Sequence, residues 1–192
     1  MDVSFAATGA LMAGAFIIVL FTKLGNPSNP VLSLELTITF MATISYVFFF
    51  LIFKGFTKFQ PSDIPKLRYV EWAATTPLML VALCLILSGK NTLSSEFLMK
   101  IVALDWLMLL IGYLGEVGYL QRTHACIFGF LPFILMFFLI YNAFPSFNVL
   151  LASYVLIWSM YGVTYLFETR AFITNVLDSI AKAGIAIAYC VQ

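Results

Sequence analysis

A lysine in the middle of an apolar segment is the side chain of this sequence that most needs a chemical reason. Lys182 lies within residues 172–191, a stretch otherwise long and apolar enough to cross a bilayer. An ammonium at bilayer depth costs roughly 2.5 to 3.5 kcal/mol, so such a group needs a partner and a purpose. Asp178, in Leu177-Asp178-Ser179-Ile180-Ala181-Lys182-Ala183-Gly184, precedes it by one helical turn and shares its face. A lysine held in this way is either ion-paired or covalently occupied.

The complement lies in an earlier apolar segment, Arg68-Tyr69-Val70-Glu71-Trp72-Ala73-Ala74-Thr75-Thr76-Pro77-Leu78. Spacings of three and four put Arg68, Glu71 and Thr75 on one helix face, and Pro77 interrupts the hydrogen-bond ladder just beyond. Every polar group at bilayer depth needs a partner, and Lys182 with Asp178 supplies one. The alternative is a purely structural salt-bridge cluster between two helices. Five polar groups in two apolar segments are a costly way to pack them.

The elements that must position these groups follow from composition. The chain has 192 residues, of which 62% are hydrophobic and 10% charged, with a mean hydropathy of +1.02. That is a polytopic membrane protein in a lipid bilayer. The length allows seven short spans and no soluble domain beside them. A net charge of +1 offers no basic surface for nucleic acid.

Polar, Gly and Pro clusters cut the chain into spans at 3–22, 30–53, 67–87, 97–120, 125–141, 148–167 and 172–191. Gly25-Asn26-Pro27-Ser28-Asn29 and Asn142-Ala143-Phe144-Pro145-Ser146 read as turns, so consecutive helices are antiparallel neighbours. The longer connection, 54–66, reads as a small hairpin or an ordered loop. No tandem repeat or low-complexity tract interrupts this single seven-helix domain, 1–192. The N-terminus lacks the basic region of a cleaved signal peptide, which predicts that the first span is retained. Cys84, Cys126 and Cys190 lack metal or disulfide spacing and read as buried free thiols.

Seven crossings put the termini on opposite sides. The N-terminal side carries Lys54, Lys58, Lys66, Arg122 and Arg170, against Lys23, Lys90 and Lys100 on the other. Taken alone, the positive-inside rule puts the N-terminus in the cytoplasm.

With these motifs the sequence resembles the microbial (type 1) rhodopsin family. Arg-Tyr-x-acid-Trp-x-x-Thr-x-Pro-Leu on the third helix, Trp158-Ser159-Met160-Tyr161 on the sixth and Leu177-Asp178-x-x-x-Lys182-x-Gly184 on the seventh match it in order and spacing. Asp105-Trp106-Leu107-Met108 with Gly112-Tyr113-Leu114-Gly115-Glu116 on the fourth is similar to the proteorhodopsin and bacteriorhodopsin branch. The resemblance runs through the whole chain. It implies an all-α membrane protein, a seven-transmembrane-helix bundle enclosing all-trans retinal, which is held covalently as a Schiff base on Lys182. It also implies a multi-pass protein of the cell membrane with its N-terminus outside, which overrides the charge count. Homo-oligomers, trimers or pentamers, are frequent in that family.

A protonated Schiff base is a buried cation and needs carboxylates nearby. By resemblance Glu71 and Asp178 are its counterions, Arg68 balances them from the extracellular side, and Thr75 hydrogen-bonds along the path by which the proton reaches Glu71. The retinal cage implied by matching position comprises Trp72, Thr76, Met79, Asp105, Met108, Gly112, Phe133, Trp158, Tyr161 and Tyr165. Phe133 is placed by a looser match in the fifth helix. With the lysine motif set aside, ordinary helix packing or an interfacial belt is the favoured reading of the aromatic residues. Thr76 and Asp105 are placed to hydrogen-bond between the third and fourth helices, a contact that affects photocycle speed in the family.

Three departures bear on function. Outward pumps of the family usually carry a carboxylic acid eleven residues after the third-helix acid, and here that position is Ala82. Glu71 replaces the more usual aspartate, and Gly162 stands where a proline often kinks the sixth helix. Slow reprotonation is the direct expectation. Glu35, in the second span, is the candidate for a displaced donor; if Tyr46 aligns with the family tyrosine near the retinal, Glu35 lies about 16 Å away by helical rise. A solvated glutamate near the helix entrance is the other reading.

Glu116 is expected near the extracellular end of the fourth helix, facing water or a neighbouring protomer. His124 is expected in the turn after Arg122, as an interfacial histidine without function rather than in a pH-dependent contact to a counterion or neighbour. Glu168 and Arg170 read as a release-site pair or a solvent-exposed one. The resulting expectation is a light-driven transporter of protons, not an enzyme: a slow outward pump with Glu71 as acceptor. Its alternatives are a light-gated cation channel, an inward proton transporter and a sensory photoreceptor. Since the sequence ends at Gln192 just after the seventh helix, no fused signalling enzyme is expected.

Overall fold

The computed structural model describes residues 2–89, 93–145, 149–167 and 171–191. The fold is all-α. Among the described residues seven helices follow one another: α1 (Asp2–Gly25), α2 (Pro30–Phe53), α3 (Ile64–Ser88), α4 (Ser95–Glu116), α5 (Arg122–Ala143), α6 (Val149–Tyr165) and α7 (Ala171–Val191). Six of these segments are long and apolar enough to span a membrane, and α6, at 17 residues, is apolar and shorter. It meets the lower end of the roughly 17 to 25 residues a spanning helix needs. The chain is a multi-pass membrane protein.

Large apolar side chains such as Leu11, Phe21, Phe40, Leu131, Phe138 and Leu156 are exposed. In water such faces would aggregate; in hydrocarbon they are the solvent-facing surface.

The chain packs as two compact units, Met1–Glu71 with Thr169–Gln192, and Trp72–Glu168. Helix α3 contributes its residues up to Glu71, Arg68 among them, to the first and its remainder to the second. In the first unit, Phe5, Met12, Ala15, Ala42, Tyr46, Phe49, Ile52, Ile64 and Ala183 form the core, and a smaller cluster joins Val19, Leu32 and Ala186.

Its turns are specified locally. Asn29 caps α2 by accepting from the N–H groups of Val31 and Leu32 at 3.0 and 3.3 Å, ahead of Pro30 at the first helical position. Lys23 Nζ ties the same turn by donating to the carbonyls of Pro27 and Asn29 at 2.7 and 2.8 Å. At the other end of α2, Gly55 takes φ +76°, and Phe56 N–H closes on Leu51 O at 3.0 Å. The connection that follows is an ordered loop with one 3₁₀ turn, Pro61–Asp63, whose Asp63 side chain accepts from Gln60 N–H.

In the second unit, Pro77 lies inside α3. A proline has no N–H, so the carbonyl four residues earlier loses its partner. That carbonyl belongs to Ala73, and Trp106 Nε1–H of α4 donates to it at 2.9 Å. The buried interior of this unit includes Leu80, Leu83, Cys84, Ile101, Met136, Ile140 and Tyr154.

Several boundaries differ from the sequence reading. Helix α4 ends at Glu116 rather than at residue 120, because Gly118 turns to φ +87° and Tyr119 N–H bonds back to Leu114 O at 2.9 Å. Helix α5 starts at Arg122, so His124 is not in a turn but in the first helical turn, exposed and stacked on Phe128 at 6.3 Å. Helix α7 is not regular: Ser179–Gly184 is π-helical. Of the three free cysteines only Cys84 is fully buried; Cys126 is partly buried and donates its thiol to Gly162 O at 3.3 Å, and Cys190 is partly buried. Lys90, Ser146, Asn148, Glu168, Arg170 and Gln192, which entered the loop-charge, turn, span and release-site readings, lie outside the described residues.

Candidate functional site

Within the first unit Lys182 is 2% exposed and sits on the π-helical turn of α7. Such turns are rare in proteins and concentrate at functional positions. Its three ammonium protons find three oxygens: Glu71 Oε1 at 2.8 Å, Glu71 Oε2 at 3.0 Å and Asp178 Oδ1 at 3.2 Å. The other Asp178 oxygen accepts from Arg68 Nη1 at 3.0 Å and from the Tyr46 hydroxyl at 2.6 Å. Arg68 Nη1 also donates to Tyr46 Oη at 2.9 Å. Two cations and two carboxylates, all buried, therefore cancel in charge. Removing any one leaves an unpaired charge in low dielectric.

Around this core the polar contacts continue. Arg68 Nη2 donates to Asn175 Oδ1, and Asn175 Nδ2 donates to Ser4 Oγ at 2.9 Å. Ser179 Oγ donates to Asn175 O at 2.9 Å, and Thr8 Oγ1 lies 3.4 Å from the same carbonyl. The rings of Phe5, Tyr46 and Phe49 lie 5.7, 5.4 and 5.3 Å from Arg68 Cζ, so the guanidinium is boxed by aromatic faces.

Arg68, Glu71, Asp178 and Lys182, singled out in the sequence, thus meet as one cluster. Glu35 stands apart from its hydrogen bonds, yet it is 2% exposed rather than solvated. Tyr46 entered the sequence reading only as a marker of depth, Ser179 only as part of the motif around Lys182, and Asn175, Ser4 and Thr8 did not enter it. A signal for Asn175 was present: it is a polar residue three before Asp178 on an apolar helix, hence on the same face.

The remaining candidates belong to the second unit. Trp72 and Tyr161 meet edge to face at 5.4 Å. Phe133 packs on Phe137 at 5.0 Å, and Phe137 on Trp158 at 5.9 Å. Tyr165 donates to Gly112 O at 3.0 Å, and the Tyr154 hydroxyl lies 3.5 Å from Met79 O. Thr75 is fully buried, Met108 half-buried and Glu116 half-buried. At position 82 the side chain is a fully buried alanine.

Thr76 and Asp105 are paired as expected, at 2.7 Å between Oγ1 and Asp105 Oδ2, while Thr76 Oγ1 also lies 2.9 Å from Trp72 O. One hydroxyl has one proton, which Thr76 shares between the two acceptors or gives to one of them. Asp105 Oδ1 is buried and has no hydrogen-bond partner among the described residues. A neutral acid tolerates that more cheaply than a carboxylate.

A family profile described as bacteriorhodopsin-like protein matches residues 3–190 of this chain. The chain belongs to that family. It is a microbial rhodopsin, and its seven-helix fold is the family's own.

The green-light absorbing proteorhodopsin of Gamma-proteobacterium EBAC31A08 is 26% identical over 120 residues, covering 55% of this chain and 48% of the relative. The blue-light absorbing proteorhodopsin of Gamma-proteobacterium Hot 75m4 is 27% identical over 117 residues, 54% of this chain and 47% of the relative. The chain spans about half the length of the curated relatives it matches. Among solved structures, the viral rhodopsin OLPVRII superposes with a TM-score of 0.88 at 28% identity, over 98% of this rhodopsin and 95% of the viral one. A retinal-type cofactor is what membership of this family leads one to expect. The donor set fits it: among the described residues Lys182 is the one buried amine, and the carboxylate oxygens around it suit a nitrogen that stays cationic after a covalent bond is made to it.

Proposed function

We propose that this rhodopsin carries all-trans retinal on Lys182 and moves protons across the membrane under light, outward and slowly, with Glu71 as the acceptor. The observation that carries the reading is the pair of contacts from Lys182 Nζ to both oxygens of Glu71, at 2.8 and 3.0 Å. Bound as a Schiff base, retinal supplies a light-absorbing polyene whose isomerisation changes the proton affinity of the lysine nitrogen. By family resemblance Trp72, Thr76, Met79, Asp105, Met108, Gly112, Phe133, Trp158, Tyr161 and Tyr165 line it.

The chain's own residues do the rest. In the linkage Nζ keeps one N–H, so one of its three carboxylate contacts survives. Glu71 is the better acceptor of that proton, because Asp178 is already committed to Arg68 and Tyr46 through its other oxygen. After transfer, Lys182 and Glu71 are neutral, and Asp178 with Arg68 remains a closed ion pair. Charge neutrality is kept throughout, which lowers the cost of the step in a low-dielectric interior. Thr75, one turn beyond Glu71 on α3, is the hydroxyl beside the path.

Reprotonation is the slow half. Eleven residues beyond Glu71 on α3 stands the apolar Ala82, and the buried Glu35 of α2 takes the donor's role. With the N-terminus outside, as the family implies, proton release follows the Arg68 end of the cluster and uptake the Glu35 end. The second reading is inward or passive proton movement, favoured by the same buried Glu35, which can accept as well as donate.

The test is the light-induced pH change of a suspension of retinal-supplied cells expressing the protein, with and without a protonophore. Acidification that the protonophore abolishes is the expected result. Alkalinisation moves the assignment to inward or passive entry, and no change moves it to a sensory photoreceptor. Lys182→Ala abolishes colour, and a coloured variant overturns the attachment site.

A further inference from the structure

We infer that Asn175 is a positioning residue that fixes Arg68 against Asp178 and ties the guanidinium to α1 through Ser4, so that the amide sets when a proton leaves the carboxylate cluster. The inference rests on the proton-transfer reading of Lys182 and Glu71 above.

Arg68 presents a planar fork. Nη1 is used on Asp178 and Tyr46, at 3.0 and 2.9 Å, and Nη2 on the Asn175 carbonyl oxygen. Because arginine has only donors, the amide must turn its oxygen to Arg68 and its nitrogen outward. That nitrogen donates to Ser4 Oγ at 2.9 Å. Asn175 is 1% exposed, whereas Ser4 is half-buried, so Asn175 is the inner end of a link that runs toward the rim of the first unit.

The backbone around it is secured as well. The Asn175 carbonyl accepts from Ser179 Oγ at 2.9 Å, with Thr8 Oγ1 at 3.4 Å, just before the π-helical turn that carries Lys182. An uncharged amide is the group that does this without disturbing the charge balance. A carboxylate would give Arg68 a second counterion and unbalance two cations against three anions. An aliphatic side chain would leave Nη2 buried and unpaired.

Proton transfer from Lys182 to Glu71 leaves Arg68 with Asp178 alone as a charged partner. Arg68 is then free to move only as far as Asn175, Tyr46 and the three rings permit. A fixed guanidinium keeps the exit closed, so the proton waits on Glu71; a loosened one lets it go early.

Two measurements on the retinal-loaded protein test this. The first is the delay between deprotonation of the lysine nitrogen, followed by transient absorption, and appearance of the proton in the medium, followed by a pH dye. Asn175→Leu shortens the delay by about tenfold or more, the rate equivalent of one charge-assisted hydrogen bond. Asn175→Asp, which keeps an acceptor for Nη2, restores a delay at least as long as that of the unaltered protein. The second is the ¹⁵N NMR spectrum of labelled arginine in the dark. The chain has three arginines, and Arg122→Lys with Arg170→Lys isolates Arg68. Its Nη2 signal carries the mark of the amide contact, and in Asn175→Leu it shifts away from that of Nη1, which keeps Asp178 and Tyr46.

An unchanged delay together with unchanged Nη signals in Asn175→Leu overturns the inference. Should that variant form no pigment, Ser4→Ala severs the outer contact alone; a shortened delay supports the tether and an unchanged one overturns it. A coloured, unaltered protein that never deprotonates the lysine nitrogen sinks the proton-transfer reading instead, and the dark NMR spectrum still decides the placement of Arg68.

Discussion

Four charged side chains share a buried site, and the loss of any single one leaves a net charge there. Glu71 is the member whose loss has both a chemical and a structural consequence. In Glu71→Gln the amide is nearly isosteric but leaves Asp178 as the sole carboxylate for Lys182 and Arg68, which contact it at 3.2 and 3.0 Å. Breaking a buried pair in this way costs on the order of 3 to 5 kcal/mol. The expected result is a lower melting temperature of the pigment and no transient deprotonation of the lysine nitrogen after a flash. A variant that still deprotonates on the normal timescale removes Glu71 from the acceptor role. These charges were legible in the sequence because each is expensive in an apolar helix and so demands a reason. Asn175 and Tyr46 were harder to see: a neutral amide costs less to bury, and a tyrosine in a membrane helix is ordinary at an interface.

Helix α3 shows how one element contributes to both units. Pro77 opens the ladder at Ala73, and the indole of Trp106 closes it at 2.9 Å although Trp106 is itself 54% exposed. An aromatic residue facing outward in this way reads from sequence as lipid contact, and its N–H is what gives it a second task. Trp106→Phe keeps the apolar surface and removes the donor, which leaves a carbonyl unsatisfied at a cost of about 1 to 3 kcal/mol. Calorimetry of the purified pigment should show the loss, whereas exposure alone would place no effect at this position. The helices themselves were readable because seven apolar runs are separated by polar, Gly and Pro residues, and their ends moved by a few residues where a cap decided them. Gly118 stops α4 through its positive φ, and Asn29 starts α2 through its side chain. The π-helical turn over Ser179–Gly184 carried no such mark. Its sequence, Ser-Ile-Ala-Lys-Ala-Gly, is compatible with a regular helix, and the tertiary contacts of Lys182 and Asn175 are of a kind that periodicity does not encode.

For the whole molecule, outward apolar faces and buried charges give a membrane protein whose interior chemistry, on the proposed reading, is proton transfer. Protons must then reach that interior from the side away from Arg68. Position 82 is an alanine with no accessible surface, so α3 offers no titratable group there. Glu35 is buried on α2, and the Thr39 and Thr43 hydroxyls of the following turns each fold back onto a helix carbonyl four residues earlier, at 2.7 Å. Tyr46 of the same helix touches Asp178. Helix α2 therefore runs from a buried carboxyl group to the counterion cluster, a distance of about 16 Å along the axis. Such a span is too long for one direct transfer and short enough for a chain of a few waters, which makes the uptake step slow and dependent on hydration. Glu35→Gln should leave the rise of the deprotonated state unchanged, slow its decay by about tenfold or more, as loss of a positioned proton donor does, and reduce steady pumping in proportion. Added azide, a small diffusible acid, should restore the decay in the variant more than in the unaltered protein. If decay and pumping are both unaffected, uptake bypasses α2, and reprotonation proceeds by direct exchange with water past the apolar Ala82.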